Sequence, residues 1–387
     1  MYQPEPAILW YRIGSMRSKR GARLFALLAP LICGLVRGGP AAAGEECPDS
    51  LRERSSSFVA LPYVYYTPET KLAFGGGSVY SFRFAGAPSA ERPSNVRVAL
   101  TYTQLHQVIL AAKPEVYLLR ERWFFSGYYG FYRYPDRFWG IGGDTPDEAE
   151  EEYESNDFES YTNAQKRVLP GLYAGVRQEY RYLSIGETSP GGMLSSGTLP
   201  GSRGGAVSGL GVIASYDTRD HVYQPSTGFF NQCYAVFFGS DLGGDFTFEV
   251  LSVDLRWYRR VFGSHVVAFQ TFDTFVTGEP PFQMLSLIGG SYAMRGYHLG
   301  RYRDRHMLTA QAEYRFPVRW RFGGVVFAGA GDVAPTLDGF RLDRVKYGFG
   351  CGVRFLFDTR ERIHARLDAG FGRDGSAGVY AMVLEAF

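Results

Sequence analysis

The chain reads as an all-β protein, a transmembrane antiparallel β-barrel of about sixteen strands, on three observations. Aromatic residues are abundant: 30 Phe, 27 Tyr and 5 Trp make up 16% of 387 residues, beside 48 Gly. Only 21% of residues are charged, yet the mean hydropathy is −0.17, too low for several apolar helices of roughly 20 residues each. Above all, apolar and polar residues alternate with period two through long segments. The aromatic content argues against disorder. Four cysteines are too few for a disulfide scaffold in a chain of this length.

The first 43 residues read as a leader rather than as part of the fold. Arg17, Lys19, Arg20 and Arg23 form a basic region, an apolar run follows from Leu24 to Val36, and Ala41-Ala42-Ala43 offers the small residues of a cleavage site. Met16 is a possible start. Leu31-Ile32 before Cys33 lacks the small residues of a lipid-attachment site. Residues 1–43 carry six Lys/Arg and one acid; their removal leaves 35 basic against 38 acidic side chains, a net charge of −3. The basic balance of the whole chain therefore belongs to the leader and gives no argument for nucleic-acid binding. Residues 44–57 read as a short periplasmic segment and 58–387 as the barrel.

Within the barrel the alternation is explicit. Leu308, Ala310, Ala312, Tyr314 and Phe316 oppose Thr309, Gln311, Glu313 and Arg315. Ile363, Ala365, Leu367, Ala369 and Phe371 oppose His364, Arg366 and Asp368. Leu251, Val253, Leu255 and Trp257 oppose Ser252, Asp254 and Arg256. In order, strands are expected over 58–66, 71–84, 94–104, 107–118, 122–134, 158–168, 171–185, 204–217, 227–239, 245–259, 264–278, 305–316, 321–331, 343–357, 361–372 and 378–387. Many span ten or more residues, the length a tilted strand needs to cross a bilayer, whereas soluble strands are typically about 5–6. An even count places both ends of the barrel chain on one side. Tight connections such as Leu169-Pro170 then alternate with long ones at 135–157, 186–203 and 279–304, the pattern of short periplasmic turns and long external loops. Trp123, Phe124, Tyr134, Phe138 and Trp139 near strand ends suit interfacial girdles. Gly75-Gly76-Gly77 lies inside a strand, where it bends the wall rather than holding phosphate.

The segment 279–304 contains Gly289-Gly290, Met294-Arg295-Gly296-Tyr297 and Arg301-Tyr302-Arg303-Asp304, and the next strand carries Ala312-Glu313-Tyr314-Arg315-Phe316-Pro317. With these motifs the sequence resembles the bacterial surface antigen, or BamA/TamA-type, outer-membrane superfamily. Asp217-Thr218-Arg219-Asp220 through Pro225 and Gly228, Pro62 with Tyr66-Thr67-Pro68-Glu69, and Arg366-Leu367-Asp368 extend the resemblance over about 58–387. It implies that the sixth external loop folds into the lumen and that Arg295, Gly296 and Tyr297 form its tip, with the arginine held by acids on the inner wall. The family's aromatic-x-Asp-x-Gly motif on strand thirteen appears as Phe327-Ala328-Gly329-Ala330-Gly331, so its acid is replaced by Gly329. Glu313, polar-facing by parity, and Asp332 become the candidate partners of Arg295. Phe387, in register with Val379, Ala381 and Val383, resembles a C-terminal assembly signal, with Glu385 standing where an apolar residue is usual. Family members that insert or secrete proteins carry POTRA domains before the barrel. About 14 residues here separate the cleavage site from the first strand, so a barrel-only member is expected.

Asp144, Asp147 and Glu148 open an acidic external run, a candidate for Ca²⁺ or for bridging cations to lipopolysaccharide. Otherwise the sequence offers no metal spacing, nucleotide motif or catalytic constellation; no enzyme activity and no cofactor are expected. The function expected from the resemblance is assistance of protein or lipid insertion or translocation at the outer membrane, by opening between the first and last strands. Pro62 would weaken that seam by removing a ladder donor. A passive channel, and a surface antigen or anchor without transport activity, are the other readings. The expected partners are outer-membrane lipid and lipopolysaccharide, client outer-membrane proteins and a separate periplasmic partner. The expected state is a monomeric barrel that binds no nucleic acid.

Overall fold

A computed structural model describes residues 56–84, 93–359 and 362–387. The expected leader at 1–43, with Met16 and Cys33, lies outside them, as do Cys47 and all of the 44–57 segment except its last two residues. Sixteen strands follow one another: β1 (Ser56–Thr67), β2 (Lys71–Phe82), β3 (Ser94–Thr103), β4 (Val108–Leu118), β5 (Trp123–Phe138), β6 (Glu151–Leu169), β7 (Leu172–Thr188) and β8 (Gly205–Asp217). The second half comprises β9 (Gly228–Phe238), β10 (Phe248–Phe262), β11 (His265–Gly278), β12 (His306–Arg319), β13 (Phe322–Ala334), β14 (Lys346–Asp358), β15 (Ile363–Gly372) and β16 (Ala377–Val383). Each pairs antiparallel with its neighbours and β16 returns to β1, closing the barrel. Closure leaves no lipid-exposed sheet edge over most of the wall, as backbone polar groups in hydrocarbon require.

Alternation sorts the side chains. Val176, Leu210, Val212, Leu251, Leu255, Val326, Phe349, Leu367 and Val379 stand exposed on the outer face. Residues of the opposite parity, among them Arg177, Ser252, Gln270, Gln311, Arg354 and Asp368, are buried inside. An apolar outside and a polar inside is the arrangement of a barrel that crosses a bilayer. At the end with mostly short turns, periplasmic in such barrels, Leu119, Leu169, Phe262 and Trp320 are exposed at the tips. The long connections gather at the opposite end.

Two expected boundaries shift. β5 and β6 pair continuously from Trp123–Lys166 to Phe138–Glu151, so the acidic run expected as loop at 144–157 is half strand. Arg133 meets Glu154 across the ladder at 2.7 Å and Arg137 meets Glu150, just before β6, at 3.1 Å, pairs that absorb the charge. At the other extreme β16 stops at Val383. Leu384 adopts a left-handed backbone (φ +69°) and the tail turns into the lumen.

Candidate functional site in the barrel lumen

The segment between β11 and β12 enters the lumen from the long-loop end. Ser286–Ile288 and Tyr302–Asp304 pair as a short ribbon at its base. The Phe282–Met284 turn leans on one wall, where Arg181 of β7 donates to the Gln283 carbonyl at 3.1 Å. Its tip reaches the opposite wall. Met294 (φ +54°) and Gly296 (φ +115°) make the reversal there, and Met294, Arg295 and Tyr297 are buried.

Glycines on β13 and β15 let the tip approach so closely. A Cβ at Gly296 would lie 2.8 Å from the Gly372 nitrogen, and one at Gly370 would lie 2.8 Å from the Gly296 nitrogen. On β13, a Cβ at Gly329 would meet the Met294 sulfur at 3.3 Å. Gly329 thus makes room for the loop. Hydrogen bonds complete the dock: Ser376 Oγ donates to the Gly296 carbonyl at 2.6 Å, Gly296 N–H donates to Tyr380 Oη at 3.1 Å, and Tyr297 Oη donates to the Tyr347 carbonyl at 2.9 Å. Buried polar backbone paired in this way avoids the penalty of lost hydration.

Arg295 lies at the centre, its side chain fully buried. It is ion-paired to Glu313 of β12 and, at 2.7 Å, to Asp368 of β15, and its guanidinium stacks 3.6 Å from the centre of the Phe327 ring. A planar guanidinium can bridge two carboxylates while covering an aromatic face; an ammonium cannot. The acids are shared further. Arg315 meets Glu313 at 2.7 Å, Arg366 meets Asp368 at 3.3 Å, and Arg354 binds both Asp368 and, at 2.8 Å, Glu385. Four guanidiniums therefore surround three carboxylates.

Asp332, expected as a partner of Arg295, is not one. It is paired with Lys346 of β14 at 2.8 Å, because β13 carries it beyond the dock toward the long-loop end. Asp368 takes that place, which alternation on its strand permitted but did not single out. Phe387 does not continue the outer register of β16. It is buried against Tyr258, Ala268 and Ala386, and its carbonyl accepts from Arg315 at 2.9 Å. The physical reason is Glu385: continued strand geometry would turn its carboxylate toward lipid, where a charge is costly. The inward turn instead gives it Arg354.

The acidic external residues also disperse. Asp147 is paired with Arg301 of the lumen loop at 2.6 Å and Asp144 with Arg344 at 2.8 Å. Among the described residues no group of three or more His, Cys, Asp or Glu is placed to hold a metal ion.

The seam between β1 and β16 contrasts with the rest of the wall. Their register holds one pair, Tyr66 with Ala381. The β1–β2 ladder by comparison runs unbroken from Ser56–Phe82 to Thr67–Lys71. From Ser56 to Tyr65, the outer edge of β1 has no register partner among the described strands.

A closed sixteen-strand barrel with an apolar outer face, a loop bound inside by a shared arginine and a short seam defines a class, the outer-membrane β-barrels built around a lumen-docked loop. In comparison with known proteins, residues 196–357 match the model of the Omp85 superfamily domain. That stretch holds the lumen loop and most of the strands that receive it. Among solved structures the fold is similar to BamA from Haemophilus ducreyi lacking POTRA domains 1–3, with 13% identity and a TM-score of 0.60 over 85% of this chain and 70% of that one. It is also similar to CdiB from Acinetobacter baumannii, with 11% identity and a TM-score of 0.53, again over 85% of this chain and over 59% of that one. No curated protein matches the sequence. The surface-antigen, BamA/TamA-type resemblance and the outer-membrane barrel fold read from the sequence agree with these findings.

Proposed function

We propose that this barrel assists insertion or translocation of protein or lipid at the outer membrane by opening its wall between β1 and β16. The observation that carries this reading is the one-pair seam. Over Ser56–Tyr65 the edge of β1 offers strand backbone without a ladder partner, and such an edge accepts an incoming strand readily. Pro62 lies in this stretch and cannot donate. The docked loop has a holding role: through Arg295 it ties β12 to β15 and leaves the seam as the weak joint. Partners of fitting chemistry are outer-membrane lipid and lipopolysaccharide, a client barrel strand and a separate periplasmic protein.

A passive channel would need an open aqueous path. The loop spans the lumen from Arg181 on β7 to Gly372 on β15, which favours the first reading.

The test locks the seam. Tyr66→Cys and Ala381→Cys, placed on the register pair in a background with the native cysteines replaced by serine, can form a disulfide. Liposomes containing the oxidised variant should lose accelerated insertion of a small client barrel and regain it on reduction. Unchanged insertion with the seam locked would overturn the reading. Large stable conductances that persist in Arg295→Ala would point to a channel.

A further inference from the structure

At the short-turn end of the lumen, below the loop dock, lies a cavity of about 370 Å³. Five arginines line it (Arg260, Arg315, Arg321, Arg354 and Arg362), and Glu385 is its single carboxylate. Alternation places Arg260, Arg315 and Arg354 on inward positions of β10, β12 and β14, and the turns after β12 and β14 add Arg321 and Arg362. The acids behind them do not balance the charge. Asp220 lies 3.7 Å from Arg362, and Glu313 and Asp368 are already shared with Arg295 and Arg366. Seven guanidiniums thus face four side-chain carboxylates.

The donors are unbalanced too. Arg315 and Arg354 are 7% and 3% exposed, yet Arg315 Nη1 and Arg354 Nη2 have no hydrogen-bond acceptor among the described residues; neither has His364 Nδ1 on the same lining. Charged donors are costly to bury unsatisfied, so a site that gathers them is built for an acceptor. Water could satisfy the N–H groups but would leave the excess positive charge. A phosphoryl group answers both needs, since its several oxygens carry negative charge and match guanidinium forks. The volume lies at the small end of ligand sites, and Val266, Pro317 and Leu356 give an apolar side to whatever the phosphoryl group is attached to.

We propose that this cavity is a periplasm-facing phosphate site, taking a phosphoryl group that is either free or the headgroup of a lipid. Glu385 holds part of the same donor set and competes with the ligand for Arg354. The inference stands apart from the seam reading, and its test requires no insertion activity.

The test is calorimetric titration of the full chain, folded in non-ionic detergent, with inorganic phosphate and with dihexanoyl phosphatidate. Dihexanoyl phosphatidylcholine and penta-glutamate serve as controls. One saturable site is expected, weakened at least tenfold in Arg260→Gln/Arg321→Gln, whose residues lie away from the buried network, and tightened in Glu385→Gln. Heat-modifiability on gels verifies that each variant is folded. Comparable affinity for the two phosphate probes identifies free phosphate as sufficient; at least tenfold tighter phosphatidate identifies a lipid headgroup. Either supports the proposal. It is overturned if neither phosphate probe saturates, if penta-glutamate alone binds, or if folded Arg260→Gln/Arg321→Gln binds as the parent does.

Discussion

Replacing Asp368 by Asn tests the charge arrangement in the lumen most directly. The change keeps shape and volume and removes one negative charge from a carboxylate that takes three guanidiniums: Arg295, Arg354 and Arg366. Four arginines would then face two acids, all with side chains at most 8% exposed. Breaking a buried pair by removing one partner costs about 3–5 kcal/mol, because the remaining charge is stranded where water cannot reach it. Arg295→Met has a different arithmetic. It leaves three arginines against three acids, so the losses are the loop anchor and the stack on Phe327, about 1–3 kcal/mol. Asp368→Asn should therefore be the more damaging substitution, although Arg295 is the residue the loop motif brings to notice. Combining the two should cost less than their sum by about 0.5–3 kcal/mol, since the second removes a cation that the first left unpaired. The measurement is urea unfolding in detergent, followed by tryptophan fluorescence and by heat-modifiability on gels. An Asp368→Asn protein within about 0.5 kcal/mol of the parent, or less affected than Arg295→Met, would refute the view that these carboxylates neutralise a cationic lumen.

Gly296→Ala should loosen the loop without unfolding the wall. Its φ of +115° disfavours any side chain and its Cβ would lie 2.8 Å from the Gly372 nitrogen, so a cost of about 1–3 kcal/mol is expected, seen as faster proteolysis within 279–305. The Glu385→Gln substitution should free the tail, and adding Arg295→Met to it should cost less than in the parent; additive effects in a double-mutant cycle would show that tail and loop are independent. The turn between β8 and β9 should weaken in acid. Burial raises the Asp220 carboxyl, but hydrogen bonds from Ser226 and Thr227 outweigh it and hold the group below the ordinary aspartate value. Its stabilisation is therefore full above the unfolded value of about 3.9 and is lost as pH falls through the lower folded one. Amide exchange at Ser226 and Thr227 should accelerate over that interval, and not in Asp220→Asn. In single-tryptophan variants, lipids brominated on the acyl chain should quench the outward Trp257 and spare Trp139, which is 4% exposed; the reverse would invert the assignment of faces.

The strands were legible because each obeys a local rule. Lipid on one side and polar lumen on the other impose period two on every strand, and the connections announce themselves as breaks in it. Contacts across the lumen follow no such rule. Glu313 and Asp368 are both marked by parity as inward, but β12 and β15 become opposing sides of one dock only when the barrel closes around the loop. Asp332 is buried near the end of β13 but out of phase with the inward Phe327 and Gly329, so alternation did not mark it as a partner of Arg295. The acids of β6 looked like a solvated loop because they form a run; Arg133 and Arg137, on the neighbouring strand, reveal them as cross-strand partners. The inward tail did leave a signal. Glu385 stands in phase with the apolar outward register of β16, and a charge on a lipid-facing position is itself a reason for the chain to turn.

That tail acid also connects the two parts of the proposed mechanism. Glu385 belongs to the segment that follows the last strand, yet its partners Arg354 and Arg315 serve Asp368 and Glu313, the two acids that hold Arg295. In a low-dielectric lumen such sharing is strong, so the charges respond to one another rather than in pairs. When the tail is seated, Glu385 draws Arg354 toward itself and leaves Asp368 freer for the loop arginine. When the tail leaves, Arg354 and Arg315 turn wholly to Asp368 and Glu313 and compete with Arg295 for them. Movement at the seam should therefore loosen the loop, and undocking of the loop should ease release of the tail, by the same free energy in both directions. An anion entering from the short-turn end would take over the role of Glu385, letting the tail move without leaving the arginines unpaired.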